Sequence, residues 1–190
     1  MEYIEYIDYF GYNSVVILSF FFLSLVVLIL DKITKKKSNW FFSSGRGNMF
    51  NPFTYIRMFT HVLGHMDFNH FRNNFLYILL IGPMIEEKYG SYNLIIMILI
   101  TAFVTALVNM IFKKNTIILG ASGITYMLIL LSSLVNLENG KIPITLILIF
   151  LFYIFGEIKD GINKRGNVSH LSHVVGAICG FMYGFIYFRL

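Results

Sequence analysis

The side chains of this chain that could break a covalent bond are few, and their spacing is suggestive. Ser122 sits in Gly120-Ala121-Ser122-Gly123, with small residues on both sides of its hydroxyl. Small neighbours let another backbone approach the oxygen, and the free N–H groups of a helix start can stabilise an oxyanion. A serine hydroxyl becomes a nucleophile at neutral pH only beside a base. His173 is the candidate base, in His173-Val174-Val175-Gly176, with Gly180 and Gly184 following at spacings of four. His70 and Asn74 are also four apart, hence on one helix face, and both can donate hydrogen bonds to a developing oxyanion. Ordinary helix packing around a hydrogen-bonded histidine would leave the same residues, so spacing alone leaves catalysis and packing both open. Zinc is a rival for His61 and His65, again four apart, but no glutamate joins them in an H-E-x-x-H arrangement and no cysteine helps.

The elements that must position these groups belong to a membrane protein. Hydrophobic residues make up 57% of the 190 and charged residues 13%, against roughly 45–50% and 25% in a soluble domain. Mean hydropathy is +0.70, and several apolar stretches approach the ~20 residues a helix needs to cross the hydrocarbon core. Length fits one domain, residues 1–190, with no linker, low-complexity tract or internal repeat; lack of a repeat disfavours the repeat-built transporter folds. The single cysteine, Cys179, excludes an intrachain disulfide and reads as a buried structural thiol. A scattered net charge of +5 suits anionic lipid rather than nucleic acid, which calls for a basic face. Residues 1–12 carry Glu2, Glu5 and Asp8 but no Lys or Arg. A signal peptide would open with positive charge, so the first apolar segment is expected to stay as a helix.

Apolar runs between polar breaks give six expected spans: 13–30, 70–85, 92–112, 117–137, 142–155 and 168–187. The breaks fall at 31–69, 86–91, 113–116, 138–141 and 156–167. The first break is long and mixes Lys32, Lys35, Lys36 and Lys37 with Trp40, Phe41, Phe42, Phe50 and Phe53, a composition that favours the headgroup layer. Spans two, four and six run in the same direction, so their N-terminal ends share a membrane face. His70, Asn74, Ser122 and His173 all lie near those ends. At 1.5 Å per residue, Ser122 and His173 are expected roughly 7–8 Å below the starts of their helices, a common depth at which they could meet. The Gly176-Gly180-Gly184 stripe is a small-xxx-small pattern that lets span six pack closely on span four. Ser132 and Ser133 read as structural, bonded back to their own helix.

Together these residues resemble the rhomboid family of intramembrane serine proteases. The likeness rests on Arg57-Met-Phe-Thr-His61, His65, His70-x-x-x-Asn74, Gly82-x-x-x-Glu86-x-x-x-Gly90, Gly120-Ala121-Ser122-Gly123 with Tyr126, and His173-x-x-Gly176-x-x-x-Gly180, in order through most of the chain after the first span. The resemblance implies an all-α membrane protein, a rhomboid-like bundle of six transmembrane helices. It implies that Ser122 attacks a scissile carbonyl and that His173 takes its proton and later hands it to the leaving amine. No acidic third member is implied, so the pair would be a dyad. His70, Asn74 and the Ser122 N–H would form the oxyanion hole. Tyr126 would pack on the His173 ring, Gly120 and Gly123 would keep the site open, and Arg57, His65 and Glu86 would be structural. The implied partners are a transmembrane protein substrate and the lipid bilayer, with no metal or organic cofactor.

Three features depart from the family pattern. Ile56 stands where an aromatic residue often precedes the loop arginine. Arg72 lies between His70 and Asn74, about 200° around the helix from His70, so it points away and can snorkel. Finally, eleven of the fifteen Lys and Arg lie in the first, third and fifth breaks, on the face of the proposed site. The positive-inside rule then turns that face to the cytoplasm, whereas bacterial rhomboids usually open outward; since several of these charges share one long loop, the family orientation is the expectation kept. Richness in Ile, Phe, Tyr, Lys and Asn hints at an AT-rich genome and names no organism; a bacterial plasma membrane is the expected location. The competing functions are a catalytically inactive rhomboid-like protein that binds transmembrane clients, which typically lacks the serine or the histidine, and a small transporter or channel, which would carry charges deep in several spans.

Overall fold

Inside a bilayer every backbone polar group has to bond within its own segment, and helices do this without help. A computed structural model of the chain describes residues 14–48, 50–113, 115–135, 143–162 and 169–188. Its helices are α1 (Val15–Ile33), α2 (Pro52–Thr60), α3 (Phe68–Tyr89), α4 (Ser91–Phe112), α5 (Ser122–Ser132), α6 (Ile144–Ile149), α7 (Phe155–Ile162) and α8 (His170–Phe188). A π-helical turn, Phe150–Ile154, joins α6 to α7 without a break. Among the described residues the only β-type pairing is an isolated bridge between Ser44 and Ile118. Among the described residues three helices are long and apolar enough on their own to cross a membrane: Val15–Ile33, Ser91–Phe112 and His170–Tyr187. The N-terminal segment through Asn13 and the expected break at 138–141 lie outside the described residues.

Helix α5 is the centre of the bundle. Its Ile124, Met127, Leu128 and Leu131 are fully buried, enclosed by α3, α4 and α8. The glycine stripe of α8 makes the tightest of these contacts. A methyl group added at Gly176 would overlap the Gly123 carbonyl, one at Gly180 the Met127 carbonyl, and one at Gly184 the Leu134 side chain. Two successive turns of α8 thus lie against the α5 backbone with nothing thicker than hydrogen between them, and the third meets Leu134 just past the end of α5, which is the packing that small residues permit. Ser132 and Ser133 bond back to Ile129 O and Leu130 O at 2.8 and 2.6 Å, and Cys179 is buried.

Glu86, near the end of α3, ties three helices together. Its carboxylate accepts from Ser14 Oγ (2.7 Å), Val16 N (3.0 Å), Ile17 N (3.1 Å) and Ser91 Oγ (2.7 Å). It therefore supplies the missing acceptors and a favourable negative charge at the start of α1. Gly90 then turns the chain from α3 into α4 with φ of 81°, a conformation glycine takes freely.

Three expected boundaries are corrected, the first being the break at 86–91, which shrinks to Gly90 because α3 runs through Tyr89 and α4 opens at Ser91. Span four is expected from residue 117, but residues 117–121 are not helical and α5 opens at Ser122 itself. The hydrophobic run there is real, but its backbone is committed to the bridge with Ser44, and Gly120 at φ 118° breaks any helix. Ser122 and His173 are consequently not at the depth expected below their helix starts; Ser122 is the first residue of α5, and His173 lies in the first turn of α8. The break expected at 156–167 also begins too early, because the helix continues through Ile162.

Gly176→Ala should destabilise the bundle by about 1–3 kcal/mol, the usual cost of overpacking. Gly156→Ala, which has open space around it on α7, should be neutral or slightly stabilising. Melting curves followed by the single tryptophan, Trp40, in mild detergent compare the two; equal melting temperatures would show that the stripe tolerates thickness after all.

Candidate active site

The site is built on loop one, which holds the nucleophile segment in place. Asn51 caps α2 by accepting from Phe53 N at 3.0 Å, and Pro52 occupies the first helical turn. From α2, Arg57 donates Nε–H to Ser43 O at 2.6 Å and lies 5.0 Å over the Trp40 ring, itself packed on Phe53. This anchoring does without the aromatic residue that Ile56 replaces. Ser44 and Ile118 then exchange two backbone bonds of 2.8 and 2.7 Å. Closer to the serine, Gly120 N donates to His61 O at 2.9 Å and Ala121 N to His65 Nε2 at 3.4 Å. His65 Nδ1 faces Leu63 O at 3.2 Å, which a protonated Nδ1 satisfies and which leaves Nε2 as the acceptor. His61 Nδ1 faces Met58 O at 3.1 Å. His61 through its carbonyl and His65 through its ring thus fix the backbone just ahead of Ser122. Desolvation holds them neutral, His61 pushed down to about 4 and His65 to about 3.

Beyond this scaffold lies a cavity of about 1100 Å³, and its wall includes His70, Asn74, Gly120, Ser122, Gly123, Tyr126 and His173. Ser122 is half-buried at the mouth of α5, whose first N–H groups have no carbonyl within the helix to bond. Asp67 caps α3 by accepting from His70 N at 2.8 Å and so fixes the turn carrying His70 and Asn74. His70 Nδ1 and Asn74 Nδ2 are both buried without a partner. Gly120 lies directly against them: a methyl there would come within 2.6 Å of His70 Cε1 and 3.6 Å of Asn74 Nδ2. Arg72 is exposed.

His173 is buried and stacked on Tyr126, with ring centroids 4.4 Å apart and 11° between planes. Its Nε2 is buried and unpartnered, and no hydrogen bond joins it to Ser122 in this arrangement, although both residues line the one cavity. Its Nδ1 lies 2.8 Å from Glu157 Oε2. The same carboxylate accepts from Tyr126 Oη at 2.6 Å through Oε1 and lies 2.7 Å from His170 Nδ1 through Oε2. A match to the Rhomboid domain model covers residues 52–190.

The chain belongs to the rhomboid family. Among similar proteins, Rhomboid-like protein 11, chloroplastic, of Arabidopsis thaliana is 24% identical over 130 residues, covering 61% of this chain and 46% of that protein. Rhomboid-related protein 1 of Caenorhabditis elegans is 24% identical over 139 residues, covering 68% and 39%. RHOMBOID-like protein 1 of Arabidopsis thaliana is 29% identical over 136 residues, covering 69% and 34%. This rhomboid chain therefore spans less than half the length of the curated relatives it matches.

Glu157 is the group that sequence reasoning missed. The resemblance implies a histidine with no acidic partner, and the structure instead places a carboxylate on its Nδ1. The charged run around Glu157 reads as a loop, whereas the helix carries on through it and turns Glu157 inward. Lys164 and Arg165, in the same run, lie outside the described residues. The signal present in the sequence is local: Glu157 falls just after an apolar span, and His170 and His173 are three apart on the facing helix. Glu157, His170 and His173 have ligand atoms within 4.8 Å of one another, close enough for a metal ion. Their mutual hydrogen bonds account for the cluster without one.

The loop and the cavity can each be tested. Gly120→Ala forces a side chain into left-handed backbone and against His70, so it should cost about 1–3 kcal/mol of stability and displace the His70 ring. Melting temperature and reactive-serine titration measure both, and a variant equal to native in each would contradict the packing described. The neutral His61 and His65 bind a proton more readily unfolded than folded. Their contribution to stability is complete above pH 6.5 and declines as pH falls toward about 4 and about 3, by up to ~1.4 kcal/mol per pH unit for each ring. Melting temperature should drop between pH 6.5 and 4.5, less steeply in His65→Gln; parallel curves for native and variant would remove His65 from this account.

Proposed function

We propose that this rhomboid chain is an intramembrane serine endopeptidase that cuts transmembrane segments of other proteins near the membrane surface. The observation that carries the reading is one cavity shared by Ser122 at a helix start, a histidine whose buried Nε2 is unpartnered, and two more unpartnered nitrogens on His70 and Asn74. Unpaired buried nitrogens are costly, and their lying on residues that line the same cavity as Ser122 supports a site prepared for a substrate oxygen.

In the proposed reaction Ser122 Oγ bonds to the scissile carbonyl carbon while its proton passes to His173 Nε2. The carbonyl oxygen becomes an oxyanion facing His70, Asn74 and the N–H of Ser122, donors that are worth about 10²–10³-fold each in comparable sites. Collapse breaks the C–N bond, and His173 returns the proton to the leaving amine. Water then attacks the acyl ester, giving one proton to His173, which passes it back to Ser122 Oγ as the acid leaves. Tyr126 holds the ring plane, and Gly120 and Gly123 keep side chains out of the path. A bacterial plasma membrane belongs to the same proposal; the relatives named above are plant and nematode proteins and lend it no support.

A second reading, an inactive relative that binds transmembrane clients, is favoured by one observation: Ser122 and His173 are not hydrogen-bonded. Catalytic hydrogen bonds are often long without substrate and tighten on binding, so the protease reading stands first. Treating the purified chain in mild detergent with a tagged fluorophosphonate separates the two. Labelling of native protein, lost in both Ser122→Ala and His173→Ala while each keeps a cooperative melt, is the expected result. Folded native protein that takes no label would put the client-binding reading first.

A further inference from the structure

Among the described residues two acidic ones line the cavity, Asp67 and Glu157. Asp67 is spent on capping α3; Glu157 has no such backbone duty, and its hydrogen bonds go to His173 and the side chains beside it. We infer that Glu157 is a positioning residue of the reaction, a carboxylate third member that fixes the tautomer and orientation of His173 and balances its charge while it carries the proton. The inference rests on the protease reading above.

Three observations support it. First, an ionised carboxylate only accepts, so the 2.8 Å contact with Glu157 Oε2 requires His173 to carry its hydrogen on Nδ1. The neutral ring then keeps its lone pair on Nε2, the nitrogen that is buried and unpartnered. Without the carboxylate, the two tautomers compete and the base is present only part of the time. Second, the ring and the carboxylate share one holder. Tyr126 stacks on the His173 ring at 4.4 Å and donates its hydroxyl to Glu157 Oε1 at 2.6 Å, while His170 Nδ1 lies 2.7 Å from Oε2. A shift of the carboxylate would have to move against α5 and α8 together. Third, the backbone leading to Glu157 is irregular in a telling place. The π-helical turn Phe150–Ile154 ends three residues before it. A π-turn holds one residue more than an α-turn, so it rotates the next stretch of helix by about 100° around the axis. With regular α-geometry through 150–154, Glu157 would be turned away from α8.

A purely structural latch, holding α7 to α5 and α8, would use the same bonds, so the test has to read chemistry per active site. The full chain in mild detergent is compared with Glu157→Gln and Glu157→Asp, each with its Ser122→Ala partner as blank. Fluorophosphonate labelling gives an endpoint, which counts competent serines, and a rate, in which Ser122 Oγ bonds to phosphorus, fluoride leaves and the hydroxyl proton goes to His173. Turnover of a transmembrane reporter substrate supplies kcat and KM. For Glu157→Gln we expect a native endpoint, a rate and kcat lower by about 10²-fold or more, and KM within a factor of about two. If Glu157→Gln fails to fold, Glu157→Asp decides, with a rate per labelled serine about 10-fold down expected. A native rate per labelled serine and a native kcat, with only the melting temperature reduced, would make Glu157 a latch and overturn the inference. Absence of label on native protein would instead overturn the protease reading, and this inference with it.

Discussion

The contact between the Gly123 carbonyl and Gly176 is the constraint on which the rest depends. Lipid offers helices no hydrophobic drive to associate, so what holds α5 to α8 is close packing and the dispersion that comes with it. That packing exists because three glycines of α8 fall on the face that meets α5. It sets the distance between Ser122 and His173, which belong to the first turns of those two helices. It also brings Tyr126 under the imidazole. A residue one methyl larger at Gly176 would alter the site by pressing on the Gly123 backbone, without reaching Ser122, His173 or Tyr126 directly.

Loop one performs the complementary task. A nucleophile at a helix start has little behind it, because the segment before it is irregular and would otherwise leave buried polar groups unsatisfied. Here three backbone donors of that segment are answered from outside: Ile118 by Ser44, Gly120 by the His61 carbonyl and Ala121 by the His65 ring. The loop is in turn fastened by Arg57 between Ser43 and Trp40. The cost is two buried neutral histidines, which makes this scaffold sensitive to acid.

Much of this is legible in the residues, and the failures are instructive. Period-four glycines announce the α5–α8 contact, and parity of the spans puts His70, Asn74, Ser122 and His173 on one face. Hydropathy cannot show that residues 117–121 are not helical, since an apolar run reads alike whether its backbone bonds to itself or to a distant loop. Charge misleads in the opposite direction at Glu157. A carboxylate beside Lys159 looks like the end of a membrane segment, and only the three-dimensional neighbourhood shows that its partners arrive from α5 and α8. Polar residues that are satisfied by distant side chains are the ones that local pattern cannot place.

The four bonds at Glu86 have a consequence for biosynthesis. Helix α1 is the first described span to leave the ribosome, yet the carboxylate that caps it comes some seventy residues later, together with Ser91 at the head of α4. Until α3 has crossed and turned, the opening N–H groups of α1 must be satisfied by water or lipid headgroups. The earliest helix is thus among those completed late, and its native position is fixed by a residue that has to traverse the membrane to reach it.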